Sequence, residues 1–288
     1  MVVALTTNGK RYFRFTNDNL NKTRRDWHGR FWFRLQTGVL GKAMKLEIIG
    51  FNIESCIAAQ EAGAHRIELC AGPGEGGTTP SYAFIKAARK RMQIDLYAMI
   101  RPRGGDFFYS EEEFEIMKED IAVCRQLECN GIVTGILSRD GKVDIERCKI
   151  LIDLAYPLEV TFHRAFDRVA DPFEAMEAII AMGCERILTS GLKPKAMEGR
   201  ETLAALIEQA AERIIIMPGS GINAENIIRI ARDTGAKELH SSASIFGESK
   251  MEYQNVAMNE SLKQVTVDKV EVRRMVDLLN QYDDTRNS

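Results

Sequence analysis

A short run near the middle of the chain, Thr161-Phe162-His163-Arg164-Ala165-Phe166-Asp167, carries the residue types that acid–base chemistry needs. It places an imidazole that titrates near neutral pH, a permanent cation and a carboxylate within five residues. If the run ends a β-strand, alternation puts Thr161 and His163 on one face. We then expect His163 to point into the mouth of a barrel and Arg164 to turn towards the helices. His163 is predicted as a catalytic acid or base, with a buried structural histidine as the alternative.

A second segment, Arg101-Pro102-Arg103-Gly104-Gly105-Asp106, sets two guanidinium groups beside a glycine turn. Guanidinium groups can bind a carboxylate or a phosphate through two parallel hydrogen bonds. We predict Arg101 as a catalytic residue, and Arg103 and Asp106 as part of an anion site. The alternative is an Arg–Asp clamp that only fixes the loop. The preceding loop, residues 71–80, contains four glycines and is either an anion-binding or lid segment or a plain connection.

Small residues near the end of the chain extend the predicted anion site. Gly219 and Gly221, with the hydroxyls of Ser241 and Ser242, resemble the phosphate cradle that follows strands seven and eight in many β/α barrels. The alternative is that these glycines only permit tight turns. The full set predicted to bind a substrate or anion is Arg103, Asp106, Thr134, Arg164, Thr189, Ser190, Gly219, Gly221, Ser241 and Ser242.

Carboxylates and imidazoles from different predicted strands could also converge on a metal ion. Glu47, Glu68, His163 and His240 form a mixed set that suits a hard or borderline divalent ion better than Cu(I). Cys70 is the cysteine expected at a strand end. We predict Cys70, Glu47 and His240 as metal ligands, and Glu68 as the catalytic partner carboxylate. The other cysteines are expected to be small core residues on helices or helix ends: Cys56, Cys124, Cys129, Cys148 and Cys184.

The elements that must position these residues follow a regular alternation of short apolar runs and helical segments. Helix starts are indicated by Asn52, by Ser110 and by Asp171-Pro172. An α/β fold, a single (β/α)8 TIM-type barrel, is predicted, with functional groups at the carboxyl ends of its strands. Residues 244–267 show no clear helix, and an amphipathic helix is expected near 268–281. The predicted strands are 46–52, 66–70, 95–101, 131–137, 159–165, 186–191, 214–219 and 238–243.

Composition limits the partners. The 39 Lys and Arg residues nearly balance the 41 Asp and Glu residues, so we expect no nucleic-acid partner, which would favour a basic excess. We find neither the roughly 20-residue apolar run of a membrane helix nor a secretion signal, so we expect no membrane association and a cytoplasmic location. The six cysteines are far apart and lack a CxxC pair, which indicates reduced thiols.

Several motifs together resemble the CutC copper-homeostasis family: Arg66-Ile67-Glu68-Leu69-Cys70, Arg101-Pro102-Arg103-Gly104-Gly105-Asp106, Thr161-Phe162-His163-Arg164-Ala165-Phe166-Asp167 and Leu239-His240-Ser241-Ser242-Ala243. The resemblance runs from about Met44 to the C-terminus. It implies a β/α barrel, a cytoplasmic location, a homodimer or larger homo-oligomer, and a role tied to copper.

The resemblance has one departure at the first predicted strand. Family members for which Cu(I) binding is proposed place a cysteine there, as well as the one that matches Cys70. In this chain that strand reads Glu47-Ile48-Ile49-Gly50-Phe51 and has no cysteine.

The chain outside the resemblance is residues 1–43, which are polar and lack the β/α alternation. We expect them to be an N-terminal extension foreign to the family, either added before a native start at Met44 or disordered. The alternative is a true N-terminal arm. Residues 44–288 are predicted to form the barrel.

Two hypotheses for function remain open at this point. In the first, the protein serves copper homeostasis and binds copper ions weakly through Cys70, helped by His163 or His240. In the second, it is a barrel enzyme that acts on a small anionic or phosphorylated metabolite, with His163 and Glu68 in acid–base roles and Arg101 and Arg103 holding the anion. A divalent metal other than copper fits either hypothesis.

Overall fold

The computed structural model describes residues 2–7, 10–15 and 43–287. Two compact units, Met1–Gly41 and Lys42–Ser288, are described separately. In the first, Val2–Thr7 pairs antiparallel with Lys10–Phe15. Residues 16–42 lie outside the described part of the chain, so the expectation of an added or disordered extension stays a prediction.

The second unit alternates strands and helices from Lys45 onward and confirms the predicted (β/α)8 barrel. Its strands are β1 Lys45–Gly50, β2 Arg66–Leu69, β3 Asp95–Met99, β4 Gly131–Thr134, β5 Glu159–Phe162, β6 Arg186–Thr189, β7 Ile215–Pro218 and β8 Glu238–Ser241. Its helices are α1 Ile53–Glu61, α2 Tyr82–Arg91, α3 Glu111–Gln126, α4 Ile145–Ala155, α5 Pro172–Met182, α6 Arg200–Ala210, α7 Ile227–Thr234 and α8 Lys269–Asn287.

The strands are parallel, in the hydrogen-bonded order β8-β1-β2-β3-β4-β5-β6-β7. The end strands β7 and β8 contact each other, so the barrel is nearly closed. Each strand ends one to three residues earlier than the sequence pattern predicts. The reason is that the residues continuing the pattern leave the sheet to build the rim, and these include Arg101, His163 and Ser190.

Side-chain caps start the helices at the predicted positions. The Asn52 carboxamide accepts a hydrogen bond from Ser55 N at 2.7 Å, and Ser110 forms a capping box with Glu113. Asp171 caps α5, whose first residue is Pro172. Each cap binds backbone N–H groups that have no partner inside the helix, so the boundaries follow from local chemistry.

Alternation along the strands separates two apolar cores. Residues such as Ile48 and Leu69 belong to the larger core, which includes residues of the helices. A smaller core inside the barrel is formed by Ile49, Cys70, Tyr97, Met99 and Val133. All six cysteines are buried free thiols, as predicted.

The amino-terminal half of the barrel interior holds a network of buried ion pairs. Arg66 pairs with Glu47 and, at 2.7 Å, with Glu238. Arg186 pairs with the same Glu238 at 3.0 Å. The Tyr97 ring lies against both guanidinium groups, 4.9 and 5.2 Å from its centroid. Charges this deeply buried are tolerated because each has a partner of opposite sign.

The segment between β8 and α8, where the sequence predicts no clear helix, contains an antiparallel ribbon that was not predicted. Strand β9, Ser244–Gly247, pairs with β10, Gln264–Val267. The Asn52 side chain donates to Val265 O at 3.0 Å, which attaches the ribbon to the carboxyl end of β1. Along the part of the chain that the structure describes, none of the helices combines the length and apolar character needed to span a bilayer.

Candidate functional site

A cavity of about 380 Å³ opens at the carboxyl ends of the barrel strands. This is the end of a β/α barrel where functional residues collect. All three residues predicted as catalytic, Glu68, Arg101 and His163, line it. So does His240, one of the predicted metal ligands.

A chain of polar contacts links four buried residues, of which Glu68 and His240 line the cavity. Glu47 and His240 are register partners on β1 and β8, and their Oε1 and Nδ1 atoms are 2.7 Å apart. The other ring nitrogen, His240 Nε2, lies 3.9 Å from Glu68 Oε2. The Cys70 thiol donates to that same oxygen at 3.7 Å. Glu47, Glu68 and His240 each offer a donor atom within 4.8 Å of the others, which is the spacing of a metal-binding group.

The two glutamates in this chain of contacts differ in their electrostatic character. Burial opposes the charge of Glu47, but the Arg66 guanidinium and the hydrogen bond with His240 lower its pKa to about 2. Burial raises the pKa of Glu68 to about 7, against the pull of His240. Burial also disfavours a charged His240, but the Glu68 and Glu47 carboxylates raise its pKa above the ordinary value. Glu47 is therefore a fixed anion, and Glu68 is poised between two protonation states.

His163 is a neutral imidazole with one free position. Its Nδ1 accepts a hydrogen bond from Ala165 N at 3.3 Å, so the ring proton belongs on Nε2. That Nε2 is buried without a hydrogen-bond partner among the described residues. Burial and the Arg101 charge lower the pKa of His163 to about 3. At neutral pH the ring therefore has an unused hydrogen-bond donor beside the cavity, but it is a poor base.

The two arginines of the glycine turn hold loops together. Arg101 is buried and donates to Glu75 O at 2.7 Å and to Gly77 O at 2.9 Å. Arg103 is partly exposed and pairs with Glu113 and Asp106, at 2.6 and 3.0 Å. Arg103 and Asp106 are not part of the cavity lining. The clamp alternative thus accounts for Arg103, whereas Arg101 both clamps the loop and lines the cavity.

Four more of the predicted anion ligands bind protein groups instead of facing the cavity. Thr134 and Ser241 donate to the backbone carbonyls of Ile100 and Ile222. Thr189 and Ser190 both donate to the Asp167 carboxylate, which also accepts from Ser190 N at 3.0 Å. Through these hydrogen bonds the four side chains stabilise the carboxyl ends of the strands and do not offer a ligand site.

The remaining predicted anion ligands lie at or beside the cavity. Arg164, Gly221 and Ser242 line it. Arg164 therefore faces the cavity and not the helices, contrary to expectation, because the Asp167 carboxylate pairs with its Nε at 2.7 Å. Gly219 is packed so closely that a Cβ there would lie 2.5 Å from Leu188 Cδ1.

Two parts of the site were not predicted from the sequence. Phe107 lines the cavity and packs on His163, with ring centroids 4.8 Å apart. Its position directly after Arg101-Pro102-Arg103-Gly104-Gly105-Asp106 was the available signal. Phe246 and Val265 reach the cavity from the β9–β10 ribbon, for which the sequence offers no comparable signal.

Comparison with known proteins places this geometry in a family. Residues 44–245 match the family model described as the CutC family. The human copper homeostasis protein cutC homolog is 46% identical over 233 residues, which cover 80% of this chain and 85% of that protein. A CutC family protein of Xylella fastidiosa strain 9a5c is 51% identical over 198 residues, covering 69% of this chain and 74% of that protein.

Solved structures agree with the sequence relatives. The crystal structure of a CutC from Streptococcus agalactiae has a TM-score of 0.67 and 36% identity, and the match covers 69% of this chain and 98% of that one. Phosphoribosylanthranilate isomerase from Thermotoga maritima has a TM-score of 0.51 at 14% identity, covering 83% and 99%. At that identity the second likeness concerns the fold alone.

Proposed function

The chain belongs to the CutC family, which includes the human copper homeostasis protein cutC homolog, and we propose that it binds a copper ion at the carboxyl end of its barrel. The observation that supports this proposal is that His240 Nε2 and the Cys70 sulfur lie 3.9 and 3.7 Å from the same oxygen of Glu68. Imidazole nitrogen and thiol sulfur are donors that copper prefers over hard oxygen ligands alone.

The proposed ligands are His240 Nε2, the Glu68 carboxylate and Cys70 Sγ. Glu68 Oε1 is buried without a hydrogen-bond partner in the described part of the chain, so it has a lone pair available. Glu47 has a different role, since Arg66 and His240 already occupy its two oxygens. A carboxylate that accepts from the far nitrogen of a ligand histidine fixes the orientation of that ring. We therefore assign Glu47 to positioning rather than to direct coordination.

Anaerobic titration against a colorimetric Cu(I) chelator tests this site. His240→Ala and Cys70→Ala are each expected to weaken Cu(I) binding at the rim by at least tenfold. Cys56→Ala is the matched control, because Cys56 is an equally buried thiol on α1. Unchanged Cu(I) affinity and stoichiometry in both rim variants would refute the proposal.

A second function is favoured by the size of the cavity, which exceeds what one ion requires. About 380 Å³ accommodates a small organic molecule. Arg164 and His163, whose Nε2–H has no partner among the described residues, both line this cavity, and together they suit a carboxylate or phosphate. In this enzyme hypothesis Glu68 is the acid or base, and His163 polarises the substrate through a hydrogen bond.

A thermal-shift screen of phosphorylated sugars and small organic acids tests the enzyme hypothesis. We expect at least one anion to raise the Tm of the wild type, and Arg164→Ala to abolish that increase. Arg229→Ala is the control, since Arg229 is an exposed arginine on α7. The hypothesis fails if no anion stabilises the protein, or if the stabilisation survives in both Arg164→Ala and His163→Asn.

We extend the proposal to location and assembly. Six free thiols suit the reducing cytoplasm. Phe246 and Tyr253, near or within the ribbon segment, are 71% and 73% exposed, which favours burial against a second copy of the chain. Light scattering on the purified protein is expected to give the mass of a homodimer or larger assembly, and a monomer mass at micromolar concentration would count against it.

A further inference from the structure

The cavity is lined by a buried cation that has no counter-ion. Two other arginines buried in the described part of the chain, Arg66 and Arg186, each pair with two carboxylates inside the barrel. Arg101 is only 5% exposed, but it takes part in no ion pair among the described residues, and its hydrogen bonds go to three neutral loop carbonyls. Its Nε–H is buried without a partner there. Because a buried charge is costly unless an opposite charge compensates it, an anionic ligand would stabilise this position.

The other charged side chains that line the cavity already lie beside a group of opposite sign. The Arg164 guanidinium pairs with Asp167 at 2.7 Å. His240 lies 2.7 Å from Glu47 and 3.9 Å from Glu68. Within the described residues, the cavity lining thus retains one positive charge that no protein group balances. A monoanion balances that charge, whereas a phosphate monoester, which carries about −1.5 to −2 at pH 7, would add a negative excess beside the two glutamates.

A second unused hydrogen-bond donor accompanies Arg101. The Arg101 Cζ atom lies 4.9 Å from the centroid of the Phe107 ring, and the His163 ring centroid lies 4.8 Å from the same point. His163 is buried, and its Nε2–H also lacks a partner in the described part of the chain. All three residues line the cavity. Two N–H donors beside one aromatic ring equal in number the two oxygens of a carboxylate.

Most of the remaining lining is apolar. Ile49 and Met99 belong to the small core inside the barrel, so they give the cavity a dry apolar surface. Two serine hydroxyls of the lining already donate to protein oxygens, Ser220 to Pro194 O at 2.8 Å and Ser244 to Ser242 Oγ at 3.1 Å. A hydroxyl-rich ligand body would therefore find few partners. The apolar side chains are those of Ile49, Phe51, Met99, Leu188, Phe246 and Val265.

We propose that the cavity binds a small monocarboxylic acid with an apolar body. Its carboxylate pairs with Arg101 and accepts a hydrogen bond from His163, and its apolar body contacts side chains such as Ile49 and Met99. This inference rests on the proposed binding of a small anion in the cavity, and it narrows the class of that anion to carboxylates and away from phosphorylated metabolites.

Isothermal titration calorimetry of the wild-type protein with four probes tests the ligand class. The probe 3-phenylpropionate has both features, 3-phenylpropanamide lacks the charge, acetate lacks the apolar body, and phenyl phosphate carries a dianion. We expect 3-phenylpropionate to bind at least tenfold more tightly than each of the others. The reasons are that the amide loses the ion pair and that each buried methylene contributes about fourfold in affinity.

The outcomes separate this inference from the proposed anion site. Phenyl phosphate binding as tightly as 3-phenylpropionate would overturn the inference and leave the anion site standing. Equal affinity for the acid and its amide would overturn the pairing with Arg101, and equal affinity for acetate would overturn the apolar body. Binding of none of the probes would overturn the inference, and the thermal-shift screen then decides on the anion site by itself.

A matched pair of arginine variants locates the carboxylate. Arg101→Gln is expected to reduce the preference for 3-phenylpropionate over its amide from at least tenfold to about one, because the charge is lost. Arg103→Gln is the control, since Arg103 lies on the same loop but outside the cavity lining, and it should keep the preference. An unchanged preference in Arg101→Gln would overturn the inference. If Arg101→Gln does not fold, the comparison of acid and amide on the wild type still decides.

A second pair of variants locates the apolar body. Phe246→Ser is expected to weaken the binding of 3-phenylpropionate at least threefold and to leave acetate binding unchanged. Tyr253→Ser is the control, because Tyr253 is equally exposed on the neighbouring segment and is not part of the cavity lining. Equal affinities of 3-phenylpropionate for Phe246→Ser and Tyr253→Ser would contradict the assigned position of the apolar body.

Discussion

The two ends of the barrel interior contain similar charged and polar residues, but they differ in whether the buried polar atoms have hydrogen-bond or ion-pair partners. At the amino-terminal end, Arg66, Arg186 and Glu238 are joined by ion pairs of 2.7 to 3.0 Å. At the carboxyl end, Glu68 Oε1 and His163 Nε2 are buried without partners in the described residues. Leaving a buried polar atom unpaired costs about 1–3 kcal/mol. The contrast indicates that the first end serves stability and the second is held ready for a ligand.

Removing a cation from the paired end should give the largest loss. Arg66→Met leaves the Glu47 and Glu238 carboxylates buried with less positive charge, so we expect the free energy of unfolding to fall by about 3–5 kcal/mol. Arg229→Met, which affects an exposed pair with Asp233, should change it by less than about 0.5 kcal/mol. Urea unfolding measures both, and comparable losses would remove the distinction between a buried network and a surface pair.

A glutamate-to-glutamine substitution at each end of the barrel interior tests whether the two ends contribute differently to stability. Glu47→Gln weakens the pairing of Arg66 and should cost about 2–3 kcal/mol. Glu68→Gln should change the free energy of unfolding by less than about 1 kcal/mol, because one oxygen of Glu68 has no partner to lose among the described residues. Denaturant unfolding under identical conditions gives both values. If the Glu68→Gln loss matched that of Glu47→Gln, the carboxyl end would also be a structural network.

Lowering the pH should reduce the stability of the folded protein through His163, which lies at the carboxyl end of the barrel. Its folded pKa of about 3 lies below the ordinary value of 6.5, so the unfolded chain takes up this proton first. Its contribution to stability is complete above pH 6.5 and declines as pH falls, by roughly 1.4 kcal/mol per pH unit. Between pH 7.5 and pH 5, the free energy of unfolding of His163→Asn should therefore fall by about 2 kcal/mol less than that of the wild type.

Asparagine is the chosen replacement because its side-chain oxygen can still accept the hydrogen bond from Ala165 N. Other titrating groups are common to both proteins and cancel in the difference. Unfolding free energies that run parallel with pH in the two proteins would show that His163 is not held neutral by burial.

The fold could be predicted from the sequence because hydrophobic periodicity and helix caps depend on residues that are close together in the chain. Asn52, Ser110 and Asp171 cap the helices that their chemistry predicts. The strand ends were placed too late, since rim residues such as His163 keep the alternating pattern after the backbone has left the sheet.

Much less of the site could be predicted, because hydrogen-bond partners are set by the folded chain. Arg66 looked like an ordinary strand start, and its partner Glu238 lies 172 residues away. Arg101 had the right position and type for binding an anion, but loop carbonyls take several of its N–H groups. Position at a strand end thus identified candidates such as Glu68 and His240. The folded structure was needed to show which candidates already use their hydrogen-bonding groups to hold loops.

A methyl group added behind His163 should give a small effect at the unpaired end. A Cβ at position 135 would lie 2.8 Å from His163 Nδ1 and 3.0 Å from Phe162 Cζ. Gly135→Ala is therefore expected to cost about 1 kcal/mol and to shift the NMR signals of the His163 ring. Gly74→Ala is the control, since a Cβ there has no neighbour within 4 Å. Unshifted His163 signals in Gly135→Ala would mean that the ring has room to move, and that its free nitrogen is not held towards the cavity by packing.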